Sequence, residues 1–232
     1  MNRVPRTILA VLIAAICGTT MASGLRAQSE FSSDKATSFL TVGPGIAGGA
    51  SLSITPPDGY KVVPIVSYRI AADAYYPRTP SISASLGLGF DSRGTRMRNF
   101  NNTEVYTTTR VGFFTVCPGF SFSGFFIGMN FGFPMSASIT TKVGAGTSEE
   151  TRSMTDAEFA KVNTLVEPRL GAVIPLMNNK NGWLALTIMG GYSLSEITDR
   201  GTVIADSDGD FHMVCGQLGL TYQFSIPGTL HK

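Results

Sequence analysis

Charge is scarce in this chain of 232 residues: Asp, Glu, Lys and Arg together make up 15%, against roughly 25% in an ordinary soluble domain. Neither sign dominates. Eighteen Lys and Arg stand against 16 Asp and Glu, and three of the cations, Arg3, Arg6 and Arg26, fall in a segment expected to be removed. The remainder has no basic field able to hold a polyanion, which excludes nucleic acid as a partner. Two histidines, three cysteines and one tryptophan leave little material for metal or redox chemistry, and no cofactor motif is present. Beyond residue 27 no apolar run approaches the 18 or more residues of a transmembrane helix. An apolar content of 43% equally excludes a disordered chain, and the length suits a single domain.

Residues 1–27 read as a secretory signal. Arg3 and Arg6 supply a positive start, Thr7–Gly18 is uncharged and largely apolar, and a small, polar stretch leads to Ala27, after which cleavage is expected. The apolar run of about 12 residues is too short to span a bilayer. Cys17 follows bulky Ile16, which argues against lipid attachment. Residues 28–36 are expected to be a short periplasmic lead and 227–232 a tail.

What fills the chain instead is a period of two. In Phe125–Ser136 the odd positions are Phe125, Ile127, Met129, Phe131, Phe133 and Met135, while the even ones from Gly128 are small or polar. Ile82, Ala84, Leu86, Leu88 and Phe90 alternate with Ser and Gly, and Val214, Leu218, Leu220, Tyr222 and Phe224 alternate with Cys215, Gln217, Gly219, Thr221 and Gln223. Successive side chains of a strand point to opposite faces, so each such strand has one apolar face and one small or polar face. Turn residues divide the chain into eight strands, near 37–54, 62–76, 81–92, 105–122, 125–143, 165–177, 183–198 and 212–226. Short connections at one end (77–80, 123–124, 178–182) face longer loops at the other, the organisation of an up-and-down barrel. The apolar phase near Phe113 and Phe114 suggests a bulge there or at Pro118.

Alternation alone also fits a soluble, lipocalin-like barrel, so the sign of the faces decides. Residues 37–54 and 211–225 contain no Asp, Glu, Lys or Arg at all, whereas a water-facing wall needs them. Arg69, Asp73, Glu167 and Arg169 fall on the small-residue face, where they can pair inside a lumen. An Arg turned to lipid near the midplane would cost roughly 2–4 kcal/mol. The reverse arrangement would show water a continuous apolar patch. The expected fold is therefore all-β: an eight-stranded antiparallel up-and-down transmembrane β-barrel over residues 37–226, in the bacterial outer membrane. Tyr75, Tyr76, Phe120, Phe122, Phe125, Trp183, Tyr222 and Phe224 flank the short turns and are expected to form the periplasmic aromatic girdle.

The signal segment, the eight alternating strands and the terminal Leu220-Thr221-Tyr222-Gln223-Phe224 resemble small bacterial outer-membrane barrels of the OmpA/OmpX type and the "outer membrane protein beta-barrel domain" group. That resemblance implies outer-membrane lipids, lipopolysaccharide and the barrel-assembly machinery as partners. Residues 225–232 continue past the terminal aromatic where family members often stop, and no room remains for the peptidoglycan-binding domain of OmpA-like proteins.

Several groups are candidates for function. Arg69, Asp73, Arg110, Glu167 and Arg169 form an expected lumen charge network, either a structural plug, which an eight-stranded interior favours, or the gate of a narrow ion path. Arg93, Arg96 and Arg98 are placed to contact lipopolysaccharide phosphates, whose oxygens suit guanidinium forks. Asp206, Asp208 and Asp210 are spaced like the start of a calcium loop, although Gln217 stands where an EF-hand wants Glu. Cys117 and Cys215, on non-neighbouring strands, are expected to remain unpaired thiols. Thr155-Asp156-Ala157-Glu158 reads as a capping box opening a short helix through Val162, which either presents a recognition surface or folds over the mouth. His212 has Ser193, Ser195 and Glu196 as conceivable catalytic neighbours, but no compact motif joins them. The preferred role is structural or loop-mediated binding and adhesion, not catalysis. A narrow channel for ions or small apolar solutes is the alternative, and a lipid-modifying enzyme is a distant third.

Overall fold

The computed structural model describes residues 40–198, apart from 55, 57–58, 80–81, 145 and 180, together with residues 212–226. The expected signal segment, lead and tail lie outside these residues. Strands β1 (Leu40–Ser53), β2 (Tyr60–Val63), β3 (Ile65–Thr79), β4 (Ile82–Asn99), β5 (Tyr106–Phe122), β6 (Phe125–Lys142), β7 (Glu150–Ser153), β8 (Leu165–Asn179), β9 (Gly182–Tyr192) and β10 (Met213–Ile226) form one antiparallel sheet. Among the described residues a single short helix, α1 (Asp156–Phe159), occurs, between β7 and β8. Eight strands close into a ring, and β1 pairs with β10 from Leu40↔Ile226 to Ser53↔Met213. β2 continues the line of β3 beyond Pro64 along β4, and β7 extends the wall beside β6.

The pairing fixes the shape of the ring. Followed from Thr41 through Tyr75, Ser85, Gly119, Gly128, Arg169, Gly191 and Cys215, the register returns to β1 at Ser51. That stagger, residue 41 to residue 51, goes with strands tilted by about 35–45° and an interior only wide enough for side chains. The tightest turn joins β5 to β6 at Ser123-Gly124, with φ of 49° and 81°. Positive φ at both central residues matches a hairpin's twist and costs glycine nothing.

Side-chain parity settles which solvent each face meets. Leu88, Phe131 and Leu220 are 44%, 37% and 43% exposed and point away from the ring, as do Ile46, Ile70, Ile127, Leu170 and Leu218. The neighbouring positions Asp91, Asn130, Glu167, Gln217 and Gln223 are buried inside. A closed sheet with an apolar exterior pairs its backbone groups within the wall, as hydrocarbon requires. No described helix is long and apolar enough to cross a membrane; the strands do so.

Three local departures from expectation have physical causes. β4 runs to Asn99 rather than ending near residue 92, because β2 and β5 both pair with its last residues. β9 stops at Tyr192, after which Leu194 N donates to Val166 O at 2.7 Å and the chain leaves the ladder. The register shift opposite Gly112 and Phe113 does exist, but the unpaired extra residue is Met135 on β6, next to Pro134, which has no N–H to give the ladder. β5 itself keeps its phase, with Phe113 fully buried in the lumen, and pairing is regular across Pro118.

Candidate functional site

The interior is filled in layers. Near the loop end lies an apolar cluster of Val111, Phe113, Ile139, Leu165 and Met213 from the strands with Met154, Val162 and Ile197 from the loops. Met154 N donates to Ala137 O, Asn163 N donates to Ile197 O, and Val162 bridges Thr198, so the third and fourth loops are tied to the mouth and to each other.

Below it sits a buried ionic quartet. Arg93 donates from Nη2 to Asp91 Oδ2 at 2.7 Å and from Nη1 to Glu167. Arg169 donates from Nε to Glu167 Oε2 at 2.8 Å and from Nη2 to Asp91 Oδ2 at 2.5 Å. Asn130 and Gln217 add amide donors to Glu167 and Asp91. Each ion thus has two counter-ions, which is what makes burial of four charges tolerable. Glycine makes the room: a Cβ at Gly191 would stand 2.3 Å from Glu167 Oε1. Deeper still, Arg69 pairs with Asp73 at 2.8 Å beside a small cavity lined by Ser85, Gly87, Cys117 and Arg169. The floor is apolar: Phe126, Val173 and Ala185 pack with Trp183, whose ring meets Tyr75 edge-on at 5.5 Å.

Of the expected lumen network, the structure brings Glu167 and Arg169 together and Arg69 to Asp73, and it turns Arg110 outward. Arg110 shares the parity of exposed Phe114 and Phe120, and donates from Nη1 to Val66 O and Ser92 Oγ, each at 3.1 Å. Asp91 and Arg93, absent from the expected network, are central to it. Arg93 is 1% exposed and is therefore no lipid contact; the odd positions of β4 all face inward, so parity carried one step past Phe90 identifies both residues. Arg96 and Arg98 do face outward, within β4 rather than on a loop. Two members of the expected girdle are also corrected: Tyr75 and Trp183 share the parity of Asp73 and Ala185 and close the lumen floor. Tyr76, Phe120, Phe122, Phe125, Tyr222 and Phe224 occupy outward positions near the short turns.

The remaining candidates fall as follows. Cys117 and Cys215 are free and buried, and Cys215 Sγ lies 3.6 Å from Ser67 Oγ. Asp206, Asp208 and Asp210 lie outside the described residues, and no metal-holding cluster occurs among the described ones. His212 stacks on Tyr192 and its Nδ1 lies 3.0 Å from the carbonyl of Ser193. The Ser193 hydroxyl instead accepts from Met213 N at 2.6 Å and the Ser195 hydroxyl accepts from Val166 N at 3.0 Å, so neither serine is arranged as a nucleophile on that imidazole. The capping box forms as expected: Thr155 accepts from Glu158 N, and Glu158 accepts from Thr155 N. Arg152 holds the Glu158 carboxylate with two bonds of 2.7 Å. The Arg152 bond, with the Thr155 N–H second, lowers the Glu158 pKa to about 2. α1 ends at Phe159, earlier than Val162.

An apolar wall around a filled polar lumen defines a small transmembrane β-barrel of the bacterial outer membrane. Among solved structures, the chain is similar to the attachment invasion locus protein Ail of Yersinia pestis, solved with the heparin analogue sucrose octasulfate: 14% identity over 80% of this chain and 99% of that one, TM-score 0.41. Similar too are Neisserial surface protein A (10%, 81% and 97%, 0.37) and the outer membrane protein OprG of Pseudomonas aeruginosa (11%, 82% and 97%, 0.35). No family model and no curated protein matches the chain.

Proposed function

We propose that the protein is a closed barrel with a structural role in the envelope, whose third and fourth extracellular loops form a surface for binding or adhesion. One observation carries this reading: the lumen is blocked in succession by the loop-end apolar cluster, the ionic quartet and the Tyr75–Trp183 floor. A path for ions would need all three to move. The described parts of these loops around Met154, Val162 and Ile197 are pinned by backbone bonds and by their own apolar residues, and a pre-organised surface loses less entropy on binding. In this reading the partners are outer-membrane lipids, lipopolysaccharide, the barrel-assembly machinery during insertion, and an extracellular ligand of unassigned chemistry. The serine and histidine geometry speaks against a hydrolytic role.

The test is conductance of the purified, folded protein in planar bilayers. A silent baseline is expected. Sustained, uniform channels from the unmodified protein would overturn the closed-barrel reading in favour of a narrow channel.

A further inference from the structure

On one side of the barrel the outer wall changes character sharply towards the loops. The apolar rows end at Phe90 on β4, Phe114 on β5 and, past Phe133, the exposed bulge residue Met135 on β6. After small residues (Ser92, Gly94, Gly112, Ser136), the same outward parity brings Arg96 and Arg98 on β4 and Arg110 on β5. Arg110 is registered with Gly94, Arg96 with Thr108 and with Val63, and Arg98 with Tyr106 and Lys61. Tyr106 in turn is registered with Lys142. Five cations therefore form one contiguous outward patch. Among the described residues, the outward positions of β8, β9, β10 and β1 carry none.

We propose that this patch, centred on Arg96, Arg98 and Arg110 and flanked by Lys61 and Lys142, docks the phosphorylated headgroup of an outer-leaflet glycolipid. Height supports it. Arg110 lies four residues beyond Phe114, and Arg96 and Arg98 six and eight beyond Phe90; at about 3.3 Å per residue and a tilt of about 40°, they stand roughly 10, 15 and 20 Å above those last aromatic residues. A phospholipid headgroup zone extends about 5–8 Å beyond the hydrocarbon on each side, so the patch begins at its outer edge and stands at the height of a taller, sugar-based headgroup.

Charge supports it independently. Among the described residues none of the five cations has an ion-pair partner, whereas Arg69, Arg93, Arg169 and Arg152 all do. One acid beside the patch, Glu149, accepts from the Tyr106 hydroxyl. Two guanidinium groups are also held in place with donors to spare. Arg96 donates from Nε to Thr108 Oγ1 at 2.8 Å and lies 4.4 Å over the Tyr106 ring, and neither terminal nitrogen has a hydrogen-bond partner among the described residues. Arg110 is anchored through Nη1 alone. Planar forks fixed in this way suit phosphate oxygens.

The inference rests on the outer wall meeting lipid and not on the loop surface or the closed lumen, so conductance and headgroup binding fail separately. The experiment is native mass spectrometry of the folded full chain in detergent, titrated with bis-phosphorylated lipid A, with dephosphorylated lipid A and with inorganic phosphate. The triple variant R96Q/R98Q/R110Q is compared with Arg152→Gln, and heat-modifiable gel migration reports folding. Loss of about tenfold or more in lipid A affinity is expected for the triple variant, with no change in Arg152→Gln. Dephosphorylated lipid A should bind the unmodified protein as weakly as the triple variant binds lipid A, and millimolar phosphate should not displace lipid A. Equal lipid A binding by the triple variant, or by the dephosphorylated lipid, overturns the proposal. So does displacement by phosphate, which would make the patch a free-anion site. Should the triple variant not fold, Arg96→Gln and Arg110→Gln singly must each weaken binding, or the proposal falls.

Discussion

Replacing Arg93 by Met removes a cation that touches both Asp91 and Glu167 at 1% exposure. Among the described inward residues, three cations (Arg69, Arg93, Arg169) balance three acids (Asp73, Asp91, Glu167). The variant therefore leaves a net negative charge in a space with no bulk water, and Glu167 keeps only Arg169 and the Asn130 amide. Breaking a buried pair from one side costs about 3–5 kcal/mol, whereas removing both partners together is often nearly neutral. Arg93→Met combined with Glu167→Gln restores neutrality, so the two changes should fall short of additivity by about 1–3 kcal/mol. Urea unfolding in lipid vesicles measures this, with the single tryptophan, Trp183 in the lumen floor, as reporter and gel mobility as a second probe. A loss below about 1 kcal/mol for Arg93→Met, additive with Glu167→Gln, would refute the reasoning, because it would mean water screens the quartet as it screens surface pairs.

Three further outcomes are expected. Gly191→Val, whose Cβ would stand 2.3 Å from Glu167 Oε1, should destabilise the barrel by about 1–3 kcal/mol in the same unfolding assay, through forced repacking. Glu158 has its folded pKa lowered to about 2 from 4.5, so its contribution is complete above pH 4.5 and disappears as pH falls towards 2; hydrogen exchange at residues 155–160 should accelerate across that window and not between pH 5 and 8. Cys117 and Cys215 should resist maleimide in the folded barrel and react together on unfolding, with no disulfide in the non-reduced protein.

Much of the fold is legible because the outward face of each strand has to be apolar where it meets lipid. The parity of Ile82–Phe90, Phe125–Phe133 and Val214–Phe224 locates three walls without any tertiary information. Strand parity and other sequence signals point in different directions at a few positions. Nearness to the turns puts Tyr75 and Trp183 in the expected girdle, whereas their parity with Asp73 and Ala185 turns them inward. Arg110 is expected in the lumen, but β5 keeps its phase, because the extra residue sits on β6 at Met135, and Arg110 points outward. Arg93 falls just beyond the strand expected over 81–92, since the apolar alternation fades after Phe90; the strand continues because its ladder partners do, and backbone pairing leaves no mark in hydropathy. The pairings of charges inside, Asp91 to Arg169 above all, join β4 to β8 across the lumen and depend on a stagger that no single strand encodes.

The most direct test of the account is collision accessibility of spin labels placed one at a time along β4, β6 and β10 in lipid vesicles, in a background with Cys117 and Cys215 replaced by Ser. Labels at Leu88, Phe131 and Leu220 should collide freely with oxygen dissolved in the acyl chains and little with a water-soluble nickel chelate, while labels at Gly87, Asn130 and Gln217 should be shielded from both. A reversed pattern, with Leu88, Phe131 and Leu220 shielded and their neighbours open to the chelate, would contradict an apolar exterior facing lipid.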